Sequence, residues 1–164
     1  MTGYDLAKEF DSGVAFFWHA KHSQIYPELA KLVKEGLVSY DVVVQGKKMK
    51  KKLYSITETG KKDLQAWLLL DEPLEPTPKD VFKLRVYFSE NMEDSQLFQQ
   101  MNTQLDKRKS KLTMLEQFLS HYNGQEISRL PHAERADYFV VLGAVLRERA
   151  YVEWLERCVA ELSG

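Results

Sequence analysis

The feature of this sequence that most constrains its fold is a change of hydrophobic period at Gly36. Before this glycine, apolar residues recur three and four positions apart, as on the buried stripe of a helix: Ile25, Leu29, Leu32 and Val33. After it, "LVSYDVVV" and "KLYSIT" alternate with a period of two, which predicts two strands connected by the turn "QGKKMKK". Gly36 itself fits the position just past a helix end. The region therefore predicts a helix followed by a β-hairpin.

Helical patterns also flank this region. Residues Gly3 to Phe10 fit a short helix, and Ser23 is placed to cap the next one, with Pro27 in its first turn. After the hairpin, "TETGKKDLQAWLLLD" predicts a helix with Thr57 as its N-cap and an apolar face made by Leu64, Trp67 and Leu68. The order helix, helix, hairpin, helix is typical of a winged helix, which is a helix-turn-helix with an added β-ribbon.

The helix before Gly36 begins with an unusual run of hydrogen-bonding side chains: Lys21, His22, Ser23, Gln24 and Tyr26. A recognition helix enters the major groove of DNA with its N-terminal residues against the base edges. Gln24 can make two hydrogen bonds to adenine, and Lys21 can contact guanine or phosphate. The remaining three can hold phosphate oxygens, aided by the positive end of the helix dipole. A polar first turn capped by Ser23 also occurs in helices that bind nothing.

Lysines crowd the hairpin turn, at Lys47, Lys48, Lys50, Lys51 and Lys52. Between Trp18 and Lys62 there are ten basic residues against four acidic ones, whereas the rest of the chain holds 13 against 20. Mutual repulsion of clustered ammonium groups is relieved by a polyanion. A solvated surface loop is the alternative explanation, but next to the polar helix start the cluster favours DNA binding.

The C-terminal half has a different pattern. "DEPLEPTP" predicts a linker, after which Thr77 and Pro78 fit the start of the helix "KDVFKLRVYFSE". Two long helical patterns follow, and each places one arginine, Arg108 or Arg149, on its otherwise apolar stripe. Two antiparallel helices cannot bury so wide a stripe alone, which predicts pairing with a second copy of the chain.

The predicted fold class is therefore mainly α with a small β-hairpin. We expect a winged helix-turn-helix domain in residues 1–70, a linker in 71–78, and a helical dimerisation and effector domain in 79–164.

Several classes of protein are disfavoured. Cys158 is the only cysteine, so no intrachain disulfide can form, and no apolar run approaches the ~18 residues of a membrane span. The charged N-terminus does not resemble a signal peptide, so we expect a cytoplasmic protein. The four histidines lack metal-ligand spacing, and no nucleophile or phosphate-loop motif is present. We expect no enzyme activity, no metal and no cofactor.

The runs "GYDLAKEF", "FFWHAKHSQIYPELAKLVKEGLV" and "KKKLYSITETGKKDLQAWL" resemble the PadR family of bacterial transcriptional regulators, above all the members that respond to phenolic acids. The C-terminal "YVEWLE" agrees with this resemblance. It implies a homodimer that binds double-stranded palindromic operator DNA, with Tyr4 among the DNA-contacting residues. It also implies repression of phenolic acid stress and decarboxylase genes until hydroxycinnamic acids, such as p-coumaric or ferulic acid, release the protein. Family members carry a further helix before the "GYD" segment, which is missing from this sequence.

A phenolic acid needs an apolar slot for its ring, a cation for its carboxylate and a polar partner for its hydroxyl. The residues that can supply these are Trp18, His19, Arg147, Arg149, Tyr151 and Trp154. Two alternatives remain open at this point. One is a regulator of the same fold with another effector, for example in control of drug efflux. The other is an adaptor that has lost its first helix and only dimerises or binds protein.

Overall fold

The computed structural model of the chain describes residues 1–10, 22–45 and 49–163, and it divides into two units, Met1–Leu74 and Glu75–Gly164. The first unit contains helices α1 (Gly3–Phe10), α2 (His22–Lys34) and α3 (Glu58–Leu68), and strands β1 (Val38–Gln45) and β2 (Met49–Ile56). The second contains helices α4 (Val81–Tyr87), α5 (Asp94–Ser120) and α6 (His132–Ser163), with short 3₁₀ turns at Ser89–Asn91 and Ile127–Arg129. The mainly helical fold class with one antiparallel hairpin is confirmed.

The core of the first unit lies where α1 crosses α2. Ala7 of α1 is buried against Ile25 and Leu29, which are one turn apart on α2. Tyr54 of β2 packs on the same cluster and so joins the hairpin to the helix pair. The helical stripe predicted before Gly36 therefore holds α1, α2 and β2 together.

The C-terminal end of α2 is confirmed at the predicted glycine. Gly36 adopts φ +74, and the N–H of Leu37 donates to the carbonyl of Leu32 at 3.0 Å, as in a glycine-terminated helix. The predicted start is wrong by two positions, because a cap at Ser23 places the first helical residue at Gln24. The helix begins at His22, so Ser23 lies in its first turn instead of capping it. Side-chain patterns mark helix ends only to within a residue or two.

The two strands pair antiparallel from Val38 opposite Ile56 to Gln45 opposite Met49. The predicted turn "QGKKMKK" is therefore too long, because Met49, Lys50 and Lys51 already belong to β2. Ladder hydrogen bonds use only backbone groups, so lysine side chains do not prevent strand pairing.

The start of α3 is fixed by Thr57, as predicted. The Thr57 hydroxyl accepts a hydrogen bond from the N–H of Gly60 at 3.0 Å and donates to the carbonyl of Gly36 at 2.8 Å. The apolar face of α3, in contrast, is not buried in this chain: Leu64, Trp67 and Leu68 are all exposed. Helical spacing shows that residues share a face, but it does not show what packs on that face.

In the second unit α5 and α6 lie antiparallel. Glu116 of α5 pairs with Arg149 of α6, whereas Lys109, seven residues earlier on α5, pairs with Glu156, seven residues later on α6. Their shared core is formed by the buried residues Met101, Leu105, Leu115, Val141, Ala144, Val145, Val152 and Leu155. The placement of Arg149 on this stripe is wrong, because its side chain is half exposed.

The charged residue that α6 does bury is Glu148, at 2% exposure. It accepts a hydrogen bond from Arg108 at 2.9 Å and pairs with Lys111 at 3.1 Å. A buried carboxylate requires such partners, since desolvation of an unpaired charge is costly. Arg108, which was predicted to lie on the apolar stripe of α5, therefore pairs with an acid, Glu148, on the facing side of α6.

Helix α4 begins later than predicted. Its N-cap is Asp80, and not Thr77, because the Asp80 carboxylate accepts hydrogen bonds from the N–H of Lys83 at 3.1 Å and from the hydroxyl of Tyr151 at 2.8 Å. Burial would raise the pKa of Asp80, but these hydrogen bonds outweigh it and lower the pKa. An acid bonded from two sides fixes the helix start more firmly than an exposed threonine does.

Within the ranges that the structure describes, no helix combines the length and the apolar character that a membrane crossing requires.

We predict that Gly60→Ala destabilises the first unit by about 1–3 kcal/mol, as overpacking does. A Cβ at Gly60 would lie 2.0 Å from the carbonyl oxygen of Leu37, a backbone atom that also accepts the N–H of Thr57. Urea unfolding at fixed protein concentration measures the loss. The matched control is Gly143→Ala in α6, where nothing lies within 4 Å and the substitution should gain about 0.5–1 kcal/mol. Equal responses of the two variants would contradict the steric argument.

We also predict that Arg108→Met destabilises the second unit by about 3 kcal/mol, because it removes the closest partner of a buried carboxylate. The double variant Arg108→Met/Glu148→Leu should recover most of this loss, since apolar residues of similar volume replace a buried pair well. A double-mutant cycle in urea tests the coupling. Additive losses in the double variant would show that the two side chains act independently.

Candidate functional site

Two exposed tyrosines mark the junction of α1 and α2. Tyr4 is 72% exposed and Tyr26 is 55% exposed. The Tyr26 ring lies directly over Gly3, where a Cβ would come within 2.7 Å of a ring carbon. Glycine at this position therefore lets the ring of one tyrosine lie on the helix that carries the other, and more than half of each tyrosine is exposed.

The first turn of α2 presents its polar side chains outward, as expected. Ser23 and Gln24 are exposed, whereas Ile25 faces the core. The amide groups at a helix N-terminus and the helix dipole attract anions. His22 is the first residue of α2, and its side chain lies outside the described part of the structure, as does the whole of Lys21.

The lysine cluster is divided between two faces of the hairpin. Lys51 and Lys52 are both exposed and adjacent in β2, where they pair with Val43 and Val42. Because side chains alternate along a strand, these two lysines point to opposite faces. Lys50 lies in β2 opposite Val44, but its side chain is not described; Lys47 and Lys48 fall outside the described residues. The prediction of one shared basic tip therefore does not hold for Lys51 and Lys52.

The two faces of the hairpin differ in chemistry. Lys52 shares its face with Tyr40 and Tyr54, which are directly opposite in the register, and its ammonium lies 4.1 Å from the centre of the Tyr40 ring. Lys51 shares the other face with Asp41 and Leu53 by strand alternation. One face is thus aromatic and basic, and the other contains an acid.

The N-terminal residues fasten α1 to the hairpin. The Met1 ammonium donates to the Tyr54 carbonyl at 3.0 Å, and the Tyr54 N–H donates to the Met1 carbonyl at 2.8 Å. Thr2 forms a β-bridge with Leu53 and gives two hydrogen bonds to Asp5. The hydrogen bond from the Thr2 backbone is the main cause of a lowered pKa of Asp5, followed by the bond from the Thr2 hydroxyl. The positive charge of Lys51 lowers this pKa further. The tyrosines, the polar turn of α2 and the hairpin are therefore held within one unit.

A second set of candidate residues lies on α6. Arg108 stacks on the Tyr151 ring at 3.8 Å from its centre, and Tyr151 meets Trp154 edge to face with ring centres 5.1 Å apart. Burial, with the hydrogen bond to Asp80, raises the pKa of Tyr151 to about 12. Its hydroxyl therefore stays a protonated donor at physiological pH.

The predicted effector residues are only partly brought together. Tyr151 and Trp154 are in contact, and Arg147 lies one turn before Tyr151 on the same side of α6 by helical spacing. Arg149 points elsewhere and donates to Glu116 at 2.6 Å. Trp18 and His19 lie outside the described residues.

Sequence reasoning missed Lys83, a cation that lies over both rings of this aromatic pair. Its ammonium lies 5.0 Å from the centre of the Trp154 ring and 4.9 Å from that of Tyr151. Lys83 and Trp154 line an open groove of about 410 Å³ together with Val86 and Tyr87. The only signal in the sequence is that Lys83 and Tyr87 lie one helical turn apart. A second groove, of about 440 Å³, is lined by Phe82, Leu84, Arg85, Val86, Phe88, Met92, Leu97 and Gln100.

Among the residues that the structure describes, no group of three or more histidine, cysteine, aspartate or glutamate side chains is arranged to hold a metal ion.

Comparison with known proteins places this geometry in context. Residues 1–66 match the model of the transcriptional regulator PadR-like family, and residues 78–163 match the model described as virulence activator alpha C-term. The chain is 37% identical over 161 residues to the negative transcriptional regulator PadR of Bacillus subtilis, an alignment that covers 98% of this chain and 88% of that protein.

Solved structures agree over nearly the whole chain. The B. subtilis PadR structure in complex with operator DNA matches with a TM-score of 0.90 and 37% identity, covering 99% of this chain and 91% of that one. The structure of the same protein in complex with p-coumaric acid matches with a TM-score of 0.85 and 35% identity, covering 100% and 91%. This chain belongs to the PadR-like family of transcriptional regulators.

Proposed function

We propose that this protein is a transcriptional repressor that binds palindromic operator DNA as a homodimer and is released by a hydroxycinnamic acid such as p-coumaric or ferulic acid. The observation that carries this proposal is the match, along 99% of the chain, to a relative bound to operator DNA. On this proposal residues 1–70 form the winged-helix DNA-binding domain, 71–78 the linker and 79–164 the dimerisation and effector domain. The protein works in the cytoplasm, where its DNA is.

The DNA-binding surface on this proposal combines α1, the first turn of α2 and the hairpin. Its residues are Tyr4, Lys21, His22, Ser23, Gln24, Tyr26, Lys47, Lys48 and Lys50. Lys51, which the sequence groups with them, is left out of this surface because strand alternation places it with Asp41 on the other face of the hairpin. The exposed tyrosines at the helix junction and the exposed polar residues of α2 support it, because each offers a donor to phosphate or a base edge. Most contacts of this kind fix the position of the protein on the duplex, and Gln24 is the residue suited to reading a base.

Dimerisation is supported by apolar side chains that the single chain leaves exposed on α5 and α6. Met114, Phe139 and Leu146 are each about half exposed. Phe139 and Leu146 are seven residues apart, so they lie on one side of α6. A two-fold dimer would place two recognition helices about one DNA turn apart, ~34 Å, which matches a palindrome.

The effector site on this proposal lies beside Trp154 and Tyr151, with Lys83 as the cation for the carboxylate. The groove of about 410 Å³ is large enough for one aromatic ring with a short acid chain. Three cations, Lys83, Arg108 and Lys111, share this cluster with two carboxylates, Asp80 and Glu148. The excess positive charge favours an anionic ligand. Trp18, His19, Arg147 and Arg149 remain further candidates.

In vitro selection from random duplex DNA, followed by fluorescence anisotropy, tests the proposal directly. We expect a palindromic sequence, two chains per duplex, and dissociation when p-coumarate is added. Selection of no sequence at all would overturn DNA recognition. Selection of a palindrome that p-coumarate does not release would retain the repressor and reject the effector.

We predict that Gln24→Ala reduces discrimination between the selected operator and a scrambled duplex while leaving non-specific binding in place. Loss of a bidentate base contact costs about 1–3 kcal/mol at the correct site, or roughly 5- to 150-fold in affinity. Anisotropy titration with both duplexes measures the ratio. Equal weakening on both would assign Gln24 to phosphate instead of a base.

We predict that Lys83→Met raises the p-coumarate concentration needed for half-release from DNA by about tenfold, because a charge-assisted contact to the carboxylate is lost. The matched control is Lys79→Met, an exposed lysine outside the groove. With the neutral methyl ester of the same acid, the concentration needed for half-release should differ far less between Lys83→Met and the unchanged protein. If the Lys83 and Lys79 variants respond alike to p-coumarate, Lys83 does not bind the carboxylate.

A further inference from the structure

We propose that Tyr40 is a positioning residue for DNA binding. Its ring holds the ammonium of Lys52 on the side of the hairpin that faces α1 and α2, and Lys52 from there contacts a DNA phosphate. This inference rests on the proposed function and adds to it, because neither Tyr40 nor Lys52 belongs to the DNA-contacting set given above.

The first support is a stack of side chains that runs from the core to Lys52. Tyr54 packs on the buried cluster of Ala7, Ile25 and Leu29. Tyr40 lies directly opposite Tyr54 in the strand register, with ring centres 5.7 Å apart. The Lys52 ammonium lies over the outer ring of this stack, 4.1 Å from its centre. Each layer is thus placed by the one beneath it.

The base of the stack is also held by the backbone. Both the N–H and the carbonyl of Tyr54 are hydrogen-bonded to Met1, at 2.8 and 3.0 Å. The strand therefore cannot slide or rotate without breaking these bonds, and the stack keeps a fixed relation to α1 and α2. A lysine on a hairpin without these bonds would have no fixed position relative to the two helices.

Cation–π contact explains how the ring can hold an ammonium without neutralising it. The negative face of the Tyr40 ring attracts the charge, yet the contact uses one side of the ammonium and leaves N–H donors for another partner. A lysine stem has four rotatable bonds, and binding must restrict them. Tyr40 restricts them before DNA arrives, so less conformational freedom is lost on binding.

The contrast with Lys51 shows which face suits DNA. Lys51 is adjacent and equally exposed, but strand alternation places it with Asp41 on the opposite face, and it also lies near the ionised carboxylate of Asp5. Acids next to a lysine oppose the approach of phosphate. The face with Lys52 contains no acidic residue among the described strand positions, 38 to 44 and 52 to 56. The two neighbouring lysines therefore provide a matched pair for experiment.

The experiment measures how operator affinity depends on salt concentration for the full-length protein. Each lysine–phosphate contact contributes about 0.9 to the slope of log affinity against log salt. We expect Lys52→Met to lower the slope by about 0.9 per protomer and Lys51→Met to change it far less. Equal reductions for the two variants would overturn the inference.

The role of Tyr40 is tested by a double-mutant cycle. We expect Tyr40→Leu to weaken operator binding about two- to fivefold, the size of an exposed cation–π contact, and to lower the slope in the same direction as Lys52→Met. In the Lys52→Met background, Tyr40→Leu should have no further effect on affinity or slope. Additive effects would show that Tyr40 does not act through Lys52.

Tyr40→Phe separates positioning from direct contact. The ring is kept and the hydroxyl is lost, so affinity and slope should match the unchanged protein. A loss comparable to that of Tyr40→Leu would assign the hydroxyl to DNA and overturn the positioning role. If Tyr40→Leu fails to fold, as judged by thermal unfolding, Tyr40→Thr takes its place in the double-mutant cycle, because a β-branched residue suits a strand and has no ring to hold Lys52.

Failure of this inference differs from failure of the proposed function. A protein that binds the operator with salt-dependent affinity, unchanged by the Tyr40 and Lys52 variants, is still a DNA-binding regulator, and only the positioning role is lost. Absence of salt-dependent binding in the unchanged protein overturns both.

Discussion

The arrangement of the first unit depends on Tyr54. Its side chain fills the space beside Ala7 and Ile25, while its backbone pairs on both sides with the first residue of the chain. One residue of a two-stranded hairpin therefore packs against the helix pair and is hydrogen-bonded to the segment that precedes α1. An isolated two-stranded hairpin is only marginally stable in water. Without this anchor the lysines of β2 would have no fixed position relative to α2, and a surface built from helix and ribbon together would not exist.

The alternation of the strand determines which charges can act together. Net charge and the local excess of basic residues describe the hairpin as one cationic element, but a strand places consecutive residues on opposite faces. Lys52 is thereby grouped with two tyrosines, and Lys51 with Asp41. Electrostatic attraction to DNA acts over a distance of several ångströms and includes all of these charges. A specific phosphate contact requires one defined ammonium, and only one face of the described hairpin offers a lysine held in place by a ring.

Local signals in the sequence were sufficient where the cause lies within a few residues. Gly36 ends α2 because of its own backbone freedom, and Thr57 caps α3 through the N–H three residues later, so both were predicted correctly. The cap of α4 was not, because Asp80 is bonded to Tyr151, 71 residues away in the chain. The pairing of Arg108 with Glu148 spans 40 residues, and the position of Lys52 over Tyr40 depends on the strand register. Interactions of this kind depend on tertiary packing, so the periodicity of apolar residues in the sequence does not predict them. The predictions for Trp18, His19, Lys21, Lys47 and Lys48 concern residues outside the described ranges and stay predictions.

A chain of polar contacts in the second unit runs from Glu148 to the start of α4, and on the proposed function it is the route by which an effector would act. Glu148 binds Arg108, Arg108 stacks on Tyr151, and Tyr151 bonds to Asp80, which caps α4. Asp80 is the residue at which the acidic, proline-rich segment ends and α4 begins. Its carboxylate is held by Tyr151, the same residue whose ring contacts Trp154. A ligand shifts an equilibrium only by its difference in affinity for two states. A ligand that stacks on Trp154 and draws the Lys83 ammonium towards its carboxylate changes the charges around Asp80, because Lys83 helps to keep that carboxyl ionised. On the proposed function, the start of α4 is then the element whose hydrogen bonds would differ between the ligand-bound and ligand-free protein, and it directly follows the segment that connects to the first unit.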